Sequence, residues 1–446
     1  MATDKTIYIR RRARLLKKMQ RGIAIIPTAP EVARNGDTHY SYRYDSHFYY
    51  LTGFTEPEAV LVLISGENGN TQPQSILFCR DKDVEREIWD GYRIGPDAAK
   101  EQFGFDATYS ITQLDEKLTE LMGNQPALFY PLGHDAAWDR RILKLRGTVQ
   151  SKVRSGIRAP DKICDVRSPL NEMRLFKDAH ERSIMRRAAS ISVQAHRRAM
   201  QFTRPGQFEY QIEAELLHEF CRHGARQPAY TSIVASGANA CVLHYIGNNA
   251  QLKNGDMLLI DAGCETEGYA SDITRSYPVN GRFSGAQKEV YEIVLAAQIA
   301  AIEAAQPGNT WDAPHKAALD VLAQGFIDLK LCQGSVDAVL ENESYKKFYM
   351  HRTSHWLGMD VHDVGDYKIG NNWRILESGM VLTVEPGCYI RPGDDVPSEL
   401  WNIGIRIEDD VMITATGNEV LTESAPKTVA EIEELMSQKT GGLSAD

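Results

Sequence analysis

Four carboxylates and one imidazole constrain this chain more than anything else in it: Asp261, Asp272, Glu385, Glu408 and His355. Each lies in a short segment of strand or strand-end type in the C-terminal half. Carboxylates that meet at one place repel one another unless cations sit between them. If these converge, they make a site for two divalent metal ions, and the fold must be one that gathers several strand ends. Spacing alone supports the first pair. Met257–Gly263 is an apolar, strand-type run, and Tyr269–Val279 is rich in β-branched and aromatic residues. Cys264–Gly268 between them is turn-like. A hairpin centred on Thr266-Glu267 sets Asp261 directly opposite Asp272, with Cβ atoms roughly 4.5–5.5 Å apart. No Lys or Arg separates the two, so that pairing needs a cation. The bland alternative is one strand-end cap and one surface carboxylate.

The other members gain from their neighbours. In Asn402–Asp409, alternation puts Ile403, Ile405 and Ile407 on one face and Gly404, Arg406 and Glu408 on the other. A glycine on a charged strand face leaves room for a close approach to the backbone; a solvated Arg-Glu face is the ordinary alternative. Glu385 ends the apolar run Met380–Val384 and is stopped by Pro386-Gly387. A carboxylate in that position is expected to be buried, and a buried carboxylate needs partners. His351, His355 and His362 fall in one Gly-punctuated stretch, and His244 lies in Cys241–Tyr245. His218-Glu219-Phe220-Cys221-Arg222-His223 imitates the zinc-protease motif His-Glu-x-x-His with one residue too many. Residues five apart on a helix are rotated by roughly 140°, so the pair cannot share an ion and the segment reads as an amphipathic helix.

Read in order, Asp261-Ala262-Gly263, Asp272-Ile273-Thr274-Arg275, Ser354-His355-Trp356-Leu357-Gly358, Val384-Glu385-Pro386-Gly387 and Arg406-Ile407-Glu408-Asp409 resemble the pita-bread metallopeptidases. Within them the chain is most similar to the bacterial Xaa-Pro aminopeptidases (aminopeptidase P). The likeness extends to Asn35-Gly36-Asp37, Tyr50–Ala59 and Glu87-Ile88-Trp89, and so covers most of the chain. The resemblance implies an α+β fold: a pita-bread catalytic domain over 171–438, a smaller α/β N-terminal domain over 1–170, and a disordered tail over 439–446. It implies an enzyme that releases the N-terminal residue from peptides with proline second. Asp261 would chelate one ion, Asp272 and Glu408 would bridge two, and His355 and Glu385 would complete the shells. Such a ligand set suits Mn²⁺, with Zn²⁺, Co²⁺ or Fe²⁺ as alternatives. Glu385 would also move the proton of the attacking water. His244 and His362 would meet the substrate carbonyl and the tetrahedral intermediate, Arg406 and Tyr389 would support the metal shell, and His351 and Tyr389 would face the substrate. Trp89 would line the substrate site, and Asp37 would reach a neighbouring subunit's site in a homodimer or homotetramer.

Composition agrees with an intracellular globular enzyme. Hydrophobic content of 43% and charged content of 25% are ordinary for one. A net charge of −10 without a basic groove pattern argues against nucleic acid as a partner. No apolar run is long enough to span a membrane. The seven scattered cysteines do not form a disulfide framework, which points to the cytoplasm. The basic stretch Arg10–Met19 could be a mitochondrial presequence. Asp4, the lack of Ser and the spacing of Ile9, Ala13, Leu16 and Met19 favour a first structural helix instead. Ile23–Pro27 and Ala59–Ile64 read as buried strands. Ser168–Glu172 reads as a hinge, followed by Asp178 capping a long helix to about Met200, with further helices over 209–223 and 286–305. Rival readings are a prolidase with the same ligands, a methionine aminopeptidase, and a non-catalytic pita-bread binding protein.

Overall fold

The computed structural model describes residues 4–66 and 72–438. The expected tail over 439–446 lies outside the described residues. The chain divides into two compact units, Met1–Met173 and Arg174–Asp446.

The N-terminal unit is built on a six-stranded sheet in the order Ala107–Ser110, Gln74–Cys79, Val60–Ile64, Ile23–Pro27, Ala127–Phe129, Lys162–Cys164. The two expected strands pair antiparallel at its centre, Ile23 against Ile64 and Ile25 against Val62. Their near-continuous apolar sequence reflects burial on both faces: Ile25, Val60 and Phe78 pack with Leu114, Leu118 and Ile142 on one side. The first helix, Lys5–Met19, is capped by Asp4, whose side chain accepts from Thr6 N at 2.9 Å. Of the expected stripe Ile9, Ala13, Leu16 and Met19 only Met19 is buried; the inner face is Ile7, Tyr8, Arg11, Arg12, Leu15 and Met19. Two arginines go inside because their guanidiniums donate to carbonyls in the last turn of the helix Ser46–Thr52, Arg11 to Tyr50 (3.2 Å) and Arg12 to Leu51 (3.0 Å), while stacking on Tyr50 and Phe105.

Ser168–Glu172 is helical, within Arg167–Leu175, and the division between the two units falls just after it, at Met173/Arg174. Pro169 sits in its first turn, where a missing N–H costs nothing, and Leu170 and Met173 are buried one turn apart.

The C-terminal unit packs long helices on bent antiparallel hairpins. Ala179–Phe202 starts with a complete capping box, Asp178 and Glu181 each accepting the other's backbone N–H. Glu209–Arg222 and Gly285–Ala304 match the expected helices. The chain is thus α+β, with its catalytic candidates on hairpins. Gly404 does leave room for a backbone: a Cβ there would collide with the carbonyl of Ala240.

Candidate metal centre

Four of the five candidate ligands sit where a strand ladder opens. Met257–Asp261 pairs with Thr274–Pro278, and further out Cys264–Thr266 pairs with Tyr269–Ala270. Between these ladders lie Ala262-Gly263 and Ser271–Ile273; a Cβ on Gly263 would meet the Ser271 carbonyl. The turn is Glu267-Gly268, with φ of 48° and 78°, a two-residue loop whose left-handed conformations match strand twist. Thr266 therefore faces Tyr269, and Asp261 faces Thr274. The direct opposition of Asp261 and Asp272 is thereby corrected by two residues. Side chains alternate along a strand, so a slip of two keeps Asp272 on the same face. The carboxylates still meet: the Tyr230 hydroxyl lies 2.5 Å from Oδ1 of both Asp261 and Asp272 and shares its proton between them.

The second hairpin has the same plan. Val381–Val384 pairs with Asp409–Ile413, and Gly387–Ile390 pairs with Ile403–Arg406, in one unbroken register. The gap holds Glu385-Pro386 on one strand and Ile407-Glu408 on the other. Glu408 N donates to Thr274 O at 3.1 Å, which joins the two hairpins. His355 arrives alongside: Thr383 N donates to His355 O (3.0 Å), Glu385 N to Thr353 O (2.8 Å), and His355 N to Thr383 Oγ1 (3.1 Å). His355 Nε2 ends 3.4 Å from Asp272 Oδ2 and 3.7 Å from Glu385 Oε1. One ligand atom from each of Asp272, His355 and Glu408 falls within 4.8 Å of the others. All five line one cavity of about 430 Å³ together with Tyr230, His244, His351, His362 and Arg406.

Four carboxylates here face one guanidinium and one imidazole. Burial, then the charges of Asp272, Glu385 and Asp261, drives the Glu408 carboxyl well above its ordinary range. Burial lifts Glu385 to about 7 although His355 and Arg406 pull it down. Asp261 is raised by burial, against the pull of Arg406. Asp272 stays low despite burial because His355 donates to it, and His355 in turn rises to about 9 against its own burial. Protons are being held where cations would relieve the same repulsion. Oxygen and imidazole donors without a thiolate suit hard or borderline divalent ions. His355 Nδ1 donates to Trp356 O at 3.0 Å, which turns Nε2 toward the carboxylates as a ligand. On these observations the residues fit divalent metal ions.

Arg406 organises the wall. It donates to Asp261 Oδ2 (2.6 Å), Thr274 Oγ1 (3.0 Å) and Tyr389 Oη (3.0 Å). The Thr274 hydroxyl donates a hydrogen bond to Glu408 Oε2 (2.6 Å). Tyr389 donates to His351 Nε2 (2.8 Å), whose Nδ1 donates to Arg352 O (2.8 Å). Burial and Arg406 hold His351 neutral, down at about 3. His362 stands edge-on to His355 at 4.4 Å between ring centroids; burial and the His355 charge lower its pKa. Trp89 and Asp37 belong to the N-terminal unit. Trp89 is 84% exposed on the helix Val84–Asp90, and Asp37 is exposed between the short strands Ala33–Asn35 and Thr38–His39. His223 ends its helix and pairs with Glu219 at 2.8 Å.

Tyr230 and Thr274 escaped the sequence reading. Tyr230 sits in a loop with no motif around it. Thr274 follows Asp272 at a strand spacing that, with the turn placed on Glu267-Gly268, sets it opposite Asp261.

Residues 183–415 match the model of metallopeptidase family M24, and residues 8–130 match the aminopeptidase P N-terminal domain. The chain is 46% identical over 430 residues to Xaa-Pro aminopeptidase of Escherichia coli, covering 96% of this chain and 97% of that one. Its fold is similar to Pseudomonas aeruginosa aminopeptidase PepP, with a TM-score of 0.95, 50% identity and coverage of 98% and 99%. It is equally similar in fold, at 44% identity and the same coverage, to Escherichia coli aminopeptidase P solved in complex with substrate, TM-score 0.95. With a buried carboxylate-imidazole centre inside the matched region, the chain belongs to metallopeptidase family M24.

Proposed function

We propose that this protein is a Xaa-Pro aminopeptidase, a metal-dependent hydrolase that frees the N-terminal residue of peptides whose second residue is proline. The observation that carries the reading is the five-residue centre in one cavity, in a chain 46% identical along nearly its whole length to a Xaa-Pro aminopeptidase. Asp261, Asp272, His355, Glu385 and Glu408 would hold two divalent ions, Mn²⁺ before Zn²⁺, Co²⁺ or Fe²⁺. Bound there, the ions would supply Lewis acidity and a water acidic enough to attack near neutral pH.

The chain's own groups do the rest. Glu385 takes and returns a proton. Neutral His362 presents a ring N–H to the substrate carbonyl, and His244 faces it from the opposite loop. Arg406 holds Asp261 in place and, through Tyr389, fixes the tautomer of His351 at the substrate wall. A bond to proline has no N–H to grip; the aliphatic walls of Leu243, Ile246 and Val361 accept the ring instead. Trp89 and Asp37 belong to the substrate mouth of a homodimer or homotetramer. Support comes from Val84, Ile88 and Trp89 on one short helix and Tyr92 just after it, each at least 75% exposed, a concentration of exposed apolar side chains of the kind that marks an interface. A cytoplasmic location belongs to the same proposal and is supported by seven cysteines that are all free thiols. No helix among the described residues is long and apolar enough to cross a membrane.

The test is hydrolysis of a Xaa-Pro-Xaa tripeptide and a Xaa-Pro dipeptide by EDTA-stripped protein, with and without Mn²⁺. Metal-dependent release of the first residue from the tripeptide is expected. Preference for the dipeptide would make the protein a prolidase, and no turnover with any metal would make it a binding protein.

A further inference from the structure

One buried carboxylate outside the metal centre is saturated with donors. Glu209 opens the helix Glu209–Arg222 and is fully buried. Its Oε1 accepts from Ser236 N (2.7 Å), Ser236 Oγ (2.8 Å) and Asn239 Nδ2 (3.1 Å). Its Oε2 accepts from Tyr245 Oη (2.8 Å) and Ala250 N (2.9 Å), and its own N–H donates to Ala250 O (3.0 Å). A carboxylate offers about four lone-pair sites, so these five donors fill it. The helix N-terminus favours its charge, and charge-assisted bonds of this kind are about twice as strong as neutral ones.

The donors come from both ends of one segment. Ser236 and Asn239 start it, Tyr245 and Ala250 finish it, and Glu209 ties the two ends together. Between them Leu243, His244 and Ile246 line the cavity. Apart from the short 3₁₀ turn Gly237–Cys241, this segment has no regular structure of its own to hold it. His244 is exposed on the cavity wall, and the hydrogen bonds that Glu209 accepts come from its neighbours in the segment, Ser236, Asn239, Tyr245 and Ala250.

We infer that Glu209 is a positioning residue: it clasps the loop 236–250 so that His244 stands where the substrate carbonyl arrives. The inference rests on the role proposed for His244. Glu209→Gln keeps the shape but puts an NH₂ where an acceptor was. Whichever way the amide turns, the N–H of Ser236 or of Ala250 loses its acceptor.

The experiment is a double-mutant cycle of Glu209→Gln and His244→Ala in the metal-loaded enzyme, with amide exchange of 237–250 measured in parallel. Glu209→Gln alone is expected to lower kcat on the tripeptide on the order of 10- to 100-fold, as a misplaced group does, with KM and metal content little changed. Exchange in the loop should quicken. In the His244→Ala background the same change should cost less than about twofold, because the group being positioned is gone. An equal loss in both backgrounds, an unchanged kcat in the single variant, or lost kcat with unchanged exchange would overturn the inference. Should Glu209→Gln not fold, Tyr245→Phe removes one donor only; its smaller loss in kcat must likewise vanish beside His244→Ala. Full activity of His244→Ala alone would remove the role of His244 and the inference with it. Inactive His244→Ala with fully active Glu209→Gln would remove only the inference.

Discussion

Two regions of the C-terminal unit bury several charges, and they balance them differently. Around Asp363 the balance is complete: Arg174 donates to Oδ1 (2.5 Å) and Lys177 to Oδ2 (3.0 Å), with Asp360 also on Arg174 (2.8 Å). The metal centre has no such balance. Four carboxylates share Arg406 and His355, and three of them, Asp261, Glu385 and Glu408, are pushed upward. The same chain therefore supplies buried cations where a network only has to hold the fold, and withholds them where a cavity opens. A deficit of positive charge at a fixed place is what separates a binding centre from a structural ion pair.

Removing one carboxylate from each region should sharpen the difference. Asp261→Ala is expected to lower kcat/KM by roughly 10⁴-fold or more, over ~5 kcal/mol of transition-state stabilisation, in a peptide assay with saturating Mn²⁺. Retained activity would break the centre's half of the comparison. Asp363→Ala leaves Lys177 buried without its anion and Arg174 with one carboxylate fewer, and should cost about 3–5 kcal/mol in urea unfolding of the metal-free protein. In that same unfolding experiment Glu408→Gln should cost nothing or stabilise, because it removes one repelling charge. A destabilised Glu408→Gln would mean that the centre is balanced without metal. Chelation should lower the stability of the wild type by about 3 kcal/mol relative to protein at a hundredfold excess of Mn²⁺ over its Kd. A melting temperature indifferent to EDTA would contradict it. A modest effect belongs to Thr274→Val, which strips one hydrogen bond from Glu408. A loss of about 1–2 kcal/mol in Mn²⁺ affinity by calorimetry is expected.

Much of this was legible in the sequence because strand ends and capped helices are local. Asp261 and Glu385 each close an apolar run, Glu408 stands on the polar face of an alternating one, and Asp178 announces its helix with Glu181 at the capping-box position. The hairpin register was missed by two residues because the turn was centred on Thr266-Glu267. The φ-positive pair Glu267-Gly268 decides it, and the glycine was the available signal. The first helix was found but its inner face was not: Arg11 and Arg12 are inward only because Tyr50 and Leu51, far along the chain, leave carbonyls to accept from them. Tyr230 and Glu209 act through contacts equally distant in sequence, and periodicity carries no trace of those.

The second hairpin keeps one register on both sides of its gap. Glu385 and Glu408 are thus spaced by a ladder and not by the length of chain between them. At its tip, Asp394 and Asp395 are exposed. Residues inserted or deleted there leave the two glutamates where they are, whereas one residue added between Val384 and Gly387 turns every side chain beyond it to the opposite face. Length variation among descendants of this chain is therefore permitted at the tip and forbidden at the gap.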